Sequence, residues 1–191
     1  MRKNFYVLAF MFLLLCSLSA CSSSTGGLSG GTGSNGTGSG GSTSSGSTPS
    51  FGTQSKTSGC QINGPLQDTA CTPGAIFSDA TVNQICKSGY SSSVRNVPTS
   101  EKNQVYAEYG ITHHNAGEYE VDHLVSLELG GSNDISNLWP EPASPTPGFH
   151  EKDKVENYLH DQVCNGSMSL KDAQIKIATN WIDVYNSMPN K

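Results

Sequence analysis

Residues 119–153 read YEVDHLVSLELGGSNDISNLWPEPASPTPGFHEKD, and the order of residue types along this stretch decides the fold. Val121, Leu124, Val125, Leu127 and Leu129 make a mostly extended apolar pattern. Gly130-Gly131 turns the chain, and Asn137-Leu138-Trp139 begins a second short strand that Pro140 should end. This is a β-hairpin with a long loop. Pro140, Pro142, Pro145 and Pro147 then lead to a helix from about residue 149 to 164, with Val155, Tyr158, Leu159 and Val163 on its apolar side and Gly166 as its stop.

Downstream, Ser169 with Asp172 three residues on is a capping-box variant. Leu170, Ala173, Ile177, Ala178, Trp181, Ile182 and Tyr185 follow at helical spacing, so Trp181 belongs to a core. Upstream, a short helix is expected over residues 79–87, capped by Ser78 and ended by Gly89. Residues 90–97 read as extended or irregular and carry Arg95, and a helix over residues 101–109 is capped by Thr99 or Ser100. His113-His114 lies in a polar loop where consecutive side chains point apart, which favours solvent over a shared ligand. The expected class is α+β: a small strand-strand-helix core with additional packed helices.

The 191 residues hold less fold than their number suggests. Arg2 and Lys3 precede an apolar run too short to span a bilayer stably, the pattern of an export signal over residues 1–20. The run ends in Leu18-Ser19-Ala20-Cys21, which resembles the lipobox of bacterial lipoproteins and implies lipidation of Cys21, membrane attachment and a place in the cell envelope. Residues 21–59, almost wholly Gly, Ser and Thr after the cysteine, cannot bury enough surface to offset their ordering entropy and read as a disordered tether with a span of roughly 30 to 35 Å. Residues 60–191 remain as one domain.

Of six cysteines, Cys16 lies in the signal and Cys21 at the anchor. Cys60, Cys71, Cys86 and Cys164 are left, an even number in an exported domain, which argues for two disulfides with three possible connectivities. Pairing Cys60 with Cys71 and Cys86 with Cys164 is preferred: the first closes a local loop and the second ties the early part to the late helices. None forms a CxxC pair, so no cysteine-rich zinc site is expected. Eight Lys and Arg remain from residue 60 onward against sixteen Asp and Glu. An acidic domain attracts nucleic acid only through a bound cation and a local basic cluster.

Phosphodiester hydrolysis needs a base to activate water and a cation to neutralise the crowded phosphate. Imidazole suits the first task, and carboxylate with imidazole suits a divalent metal. The succession Asp122-His123, Gly130-Gly131, Asn137-Leu138 and His150, with its fourteen-residue step from His123 to Asn137, resembles the HNH endonuclease family and its ββα-metal (His-Me finger) core. The resemblance implies His123 as general base, Asp122 as a metal ligand, Asn137 as the residue that braces the loop and orients the base, and His150 as second metal ligand. Ser126 stands where a proline is often found, the flanking zinc-binding CxxC pairs are absent, and His150 lies further past Asn137 than usual. Asp153 or Asn157 shares the helical face of His150 and could supply the ligand instead. Lys152, Lys154 and Arg95 are candidate phosphate contacts.

What the sequence leads us to expect is a lipid-anchored, exported endonuclease acting on DNA with a divalent metal, magnesium first and manganese, nickel or zinc as substitutes. No protein partner is inferred. The alternative is a non-catalytic surface lipoprotein that binds nucleic acid or metal.

Overall fold

The computed structural model describes residues 49–189; the expected signal, the Cys21 anchor and most of the tether lie outside them. Five helices surround one two-stranded sheet, an α+β arrangement: α1 Val82–Ile85, α2 Tyr90–Val94, α3 Thr99–Glu108, β1 Tyr119–His123, β2 Leu138–Pro142, α4 Phe149–Cys164 and α5 Leu170–Ser187.

The strands pair antiparallel from Tyr119 opposite Pro142 to His123 opposite Leu138. The first strand is shorter than its apolar pattern suggests. Beyond Leu124 the backbone N–H and C=O of Val125 bond to the Asn137 side chain instead of a strand, and the chain coils into a 3-10 turn at Leu127–Leu129, capped by the Ser126 hydroxyl. Leu127 and Leu129 still enter the core, from the turn. The second strand is longer than expected because Pro140 does not end it. The Leu124 N–H bonds to the Asn137 carbonyl and the Ala143 N–H to the Glu118 carbonyl, so with alternating pairs Pro140 and Pro142 fall where no ladder N–H is required.

Two helices complete the core. Helix α4 buries Phe149, Lys152, Val155, Leu159 and Val163 at helical spacing. Helix α5 starts at the expected cap, where the Ser169 hydroxyl accepts from the Asp172 N–H, and buries Ala173, Ile177, Ala178, Trp181 and Val184. It breaks at Asn180, whose backbone is extended and whose side-chain oxygen accepts from the Ile182 N–H, so that side chain caps the restart. Trp181 is fully buried and donates to the Pro65 carbonyl.

Four boundaries need correction. Helix α1 is a single turn capped by Thr81, not Ser78, because Thr81 and Gln84 exchange hydrogen bonds. Residues 90–94 are helical: Gly89, at φ 81°, turns the chain, and the Ser93 N–H and Arg95 N–H bond back to Gly89 and Ser91. Helix α3 begins two residues early, at Thr99 directly after Pro98. The tether ends before residue 59. Phe51 packs on the core, Gln54 bonds to the Cys71 carbonyl and Glu108, and Lys56 pairs with Asp68 at 3.0 Å.

Disulfides join Cys60 to Cys71 and Cys86 to Cys164, the preferred pairing, and two disulfides in one small domain fit an oxidising compartment outside the cytoplasm. Among the described residues no helix is long and apolar enough to cross a membrane.

Candidate functional site

Asn137 closes the hairpin loop. It is fully buried, and its amide makes four hydrogen bonds: the oxygen accepts from the N–H groups of Val125 (2.9 Å) and Ala75 (3.2 Å), and the nitrogen donates to the carbonyls of Val125 (3.0 Å) and Ser132 (2.8 Å). Every donor and acceptor site of an amide is thereby used. The side chain is a brace for residues 125–132, and all four of its bonds go to that loop and Ala75 rather than to His123.

The residue that orients His123 is Asn133, which sequence reasoning missed. The Asn133 amide nitrogen donates to the Val94 carbonyl at 2.8 Å, and its oxygen accepts from the Asn96 N–H at 3.1 Å. The oxygen therefore faces His123 Nε2, 3.2 Å away, and Nε2 must carry the proton. Nδ1 is left with its lone pair, buried and without a protein partner. Burial, more than any neighbouring charge, lowers the His123 pKa to about 4, so the ring is neutral at physiological pH.

Asp122 points the other way from the strand and meets a lysine. Lys152 Nζ donates to Asp122 Oδ2 at 2.6 Å, to the His123 carbonyl at 2.8 Å and to Glu156, and lies 3.9 Å from Glu141 Oε2. Burial alone would lower the Lys152 pKa; the carboxylates around it hold it charged, above its ordinary range. For Asp122, burial pushes upward but the ammonium wins and keeps the carboxyl below its usual value. Burial dominates at Glu141, raising it well above the carboxylate range, and at Glu156, raised to about 7, which also accepts from the Ser126 hydroxyl. Three carboxyls share one ammonium, and at Glu141, the fully buried member, burial most favours the protonated form.

That cluster corrects the expectation for Lys152. It is a buried clamp fastening the end of β1 to α4, with no surface to offer a phosphate. The sequence held a signal for this: position 152 lies on the stripe of Phe149, Val155 and Leu159, and Glu156 follows it by one turn. Lys154 faces solvent, 3.6 Å from Glu151, an ordinary surface pair.

Arg95, at the C-terminal cap of α2, is close enough for its charge to act on His123, Glu120 and Asp153. His150 is exposed near the start of α4 and acts on Asp153 in the same way. Burial first and the Asp122 charge second raise both Glu120 and Asp153. The hairpin end thus gathers Glu120, Asp122, His123, Arg95, His150 and Asp153, but not in closed metal geometry. Among the described residues the group of three with ligand atoms within 4.8 Å of one another is Cys86, His160 and Cys164, whose sulfurs form the disulfide.

No family model matches the chain. No curated protein and no solved structure matches it either.

Proposed function

We propose that this protein is a metal-dependent endonuclease of the HNH type that hydrolyses phosphodiester bonds in DNA, displayed at the cell envelope by a lipid anchor at Cys21. The observation that carries the reading is His123: an imidazole held neutral, with its Nε2 proton turned to Asn133 and its Nδ1 lone pair buried without a protein partner. In the reaction Nδ1 takes a proton from water as the water oxygen attacks phosphorus, and the P–O bond to the leaving sugar oxygen breaks. Arg95 supplies positive charge beside the base and is the candidate to meet a phosphate oxygen.

The donors fit a hard divalent cation. Burial first and the neighbouring Asp122 charge second shift Glu120 and Asp153 upward, and a cation would relieve the second of these. Asp122, with His150 or Asp153, would hold it, water completing its shell. When bound, it would neutralise charge on the phosphate and leaving oxygen. Lys152 positions Asp122 and the His123 carbonyl for this task.

Plasmid nicking by the full chain tests the reading, with magnesium, manganese, nickel or zinc, with and without EDTA, beside His123→Ala. Cleavage should need metal and fall by about a hundredfold or more in the variant. An intact plasmid under all four metals would sink the enzyme and leave the non-catalytic nucleic-acid- or metal-binding lipoprotein. Comparing His150→Ala with Asp153→Ala identifies the second ligand.

A further inference from the structure

Helix α4 carries a second cluster at its far end. Cys164 is its last residue, His160 lies one turn earlier on the same face, and Cys86 caps the end of α1. Cys86 and Cys164 are exposed and His160 half-buried. The cysteine Cα atoms are 5.7 Å apart, and His160 Nε2 lies 3.4 Å from Cys164 Sγ and 3.1 Å from the Ile85 carbonyl.

We propose that reduction of the Cys86–Cys164 disulfide turns these three residues into a binding site for a thiophilic divalent cation, zinc foremost. In the oxidised chain the two sulfurs share a bond and are poor ligands. A dithiol that attacks one sulfur breaks that bond, closes to its own disulfide and leaves two thiols; a phosphine does the same with water, which gives its oxygen to the phosphine oxide and its two protons to the thiols. A cation then displaces both thiol protons to solvent and gains two thiolates. The imidazole joins through Nε2 once its proton resides on Nδ1, releasing the Ile85 carbonyl. Two sulfurs and one nitrogen make a donor set that selects zinc over magnesium or calcium, with water in the fourth position. The backbone separation lets both thiolates turn toward one tetrahedral ion, and His160 and Cys164 chelate from a single helical turn.

Access separates this disulfide from the other. Cys60 and Cys71 are 2 % and 0 % exposed, shielded from a reductant, whereas Cys86 and Cys164 face solvent. The site lies about three helical turns from Lys152 along α4 and shares no residue with the candidate nuclease centre, so it stands or falls independently of that reading.

The test uses the full chain with Cys16 and Cys21 replaced by serine, reduced with a phosphine, and titrated with cobalt(II) and then zinc. The reduced chain should take up one cobalt, with a sulfur-to-cobalt charge-transfer band and the visible bands of a tetrahedral ion, and zinc should erase both. Cys86→Ser should lose the charge-transfer intensity. His160→Ala should bind at least about tenfold more weakly, with its helical circular dichroism unchanged. Binding by the oxidised chain, equal binding by His160→Ala, a charge-transfer band that survives in Cys86→Ser, no band in the reduced chain, or loss of helix on reduction would each overturn the proposal.

Discussion

Asn133 decides what His123 can do, and two substitutions separate orientation from charge. Asn133→Ala frees the ring to exchange tautomers, and kcat for plasmid cleavage should drop about tenfold or more with KM little changed. Asn133→Asp places a carboxylate against Nε2, which favours imidazolium. The acid limb of the pH–rate profile, expected near pH 4 in the unaltered protein, should move toward neutrality. The same ring links stability to pH. Its folded value of about 4 lies below the ordinary 6.5, so between those values the unfolded chain binds the proton more readily. Stability is therefore full above pH 6.5 and falls toward pH 4, by up to about 3 kcal/mol from this residue. Urea unfolding at pH 7.5 and 4.5, beside His123→Gln, measures that share, and the variant should lose less on acidification. Lys152 is the other decisive residue. Lys152→Met strands buried carboxyls without their cation and should cost about 3 to 5 kcal/mol, while Lys154→Met should lie within about 0.5 kcal/mol of the unaltered protein. Equal stability of the two in denaturant titrations would mean the clamp carries no weight.

At the scale of elements, legibility followed how local the deciding interaction is. Helices α4 and α5 were readable because their caps and apolar stripes lie within their own sequence: Gly166 ends one, Ser169 with Asp172 starts the other. The hairpin was readable in order but not in extent. Val125, Leu127 and Leu129 alternate as a strand would, and only the amide of Asn137, twelve residues from Val125, diverts them into a turn. Of the three possible disulfide pairings, the preferred one, with a local loop and a long-range tie, is the one formed. Asn133 and Glu141 were hidden because each depends on a partner more than ten residues away, Val94 or Asp122, while for Lys152 the apolar stripe and Glu156 were local signals but Asp122 and the His123 carbonyl were not. The turn itself is set by close approach. A Cβ on Gly131 would stand 1.7 Å from the Val125 carbonyl oxygen, a clash only backbone movement can relieve. Gly131→Ala should displace the loop and with it Asn133, so cleavage should fall with the thermal midpoint. By contrast, Gly166→Ala meets open space despite its positive φ, and should cost only about 1 kcal/mol.

For the whole molecule, the described fold is a small core with its ends tied down. The segment from residue 49 to 59 lies against the Cys60–Cys71 loop, and Gln54 reaches Glu108 across it. The second disulfide spans 78 residues and encloses α2, α3, the hairpin and nearly all of α4 within one covalent ring. Residues 112–118, an exposed loop between α3 and β1, lie inside that ring. A protease cutting there opens the ring without dividing the molecule, and both halves of the candidate site stay attached to the same polypeptide assembly. Nicked protein should therefore run as one species on a non-reducing gel and as two fragments after reduction, and should keep most of its helical signal until the reductant is added. The bond that looks like a brace between two helices is, for a protein exposed to hydrolases, insurance against a single cut.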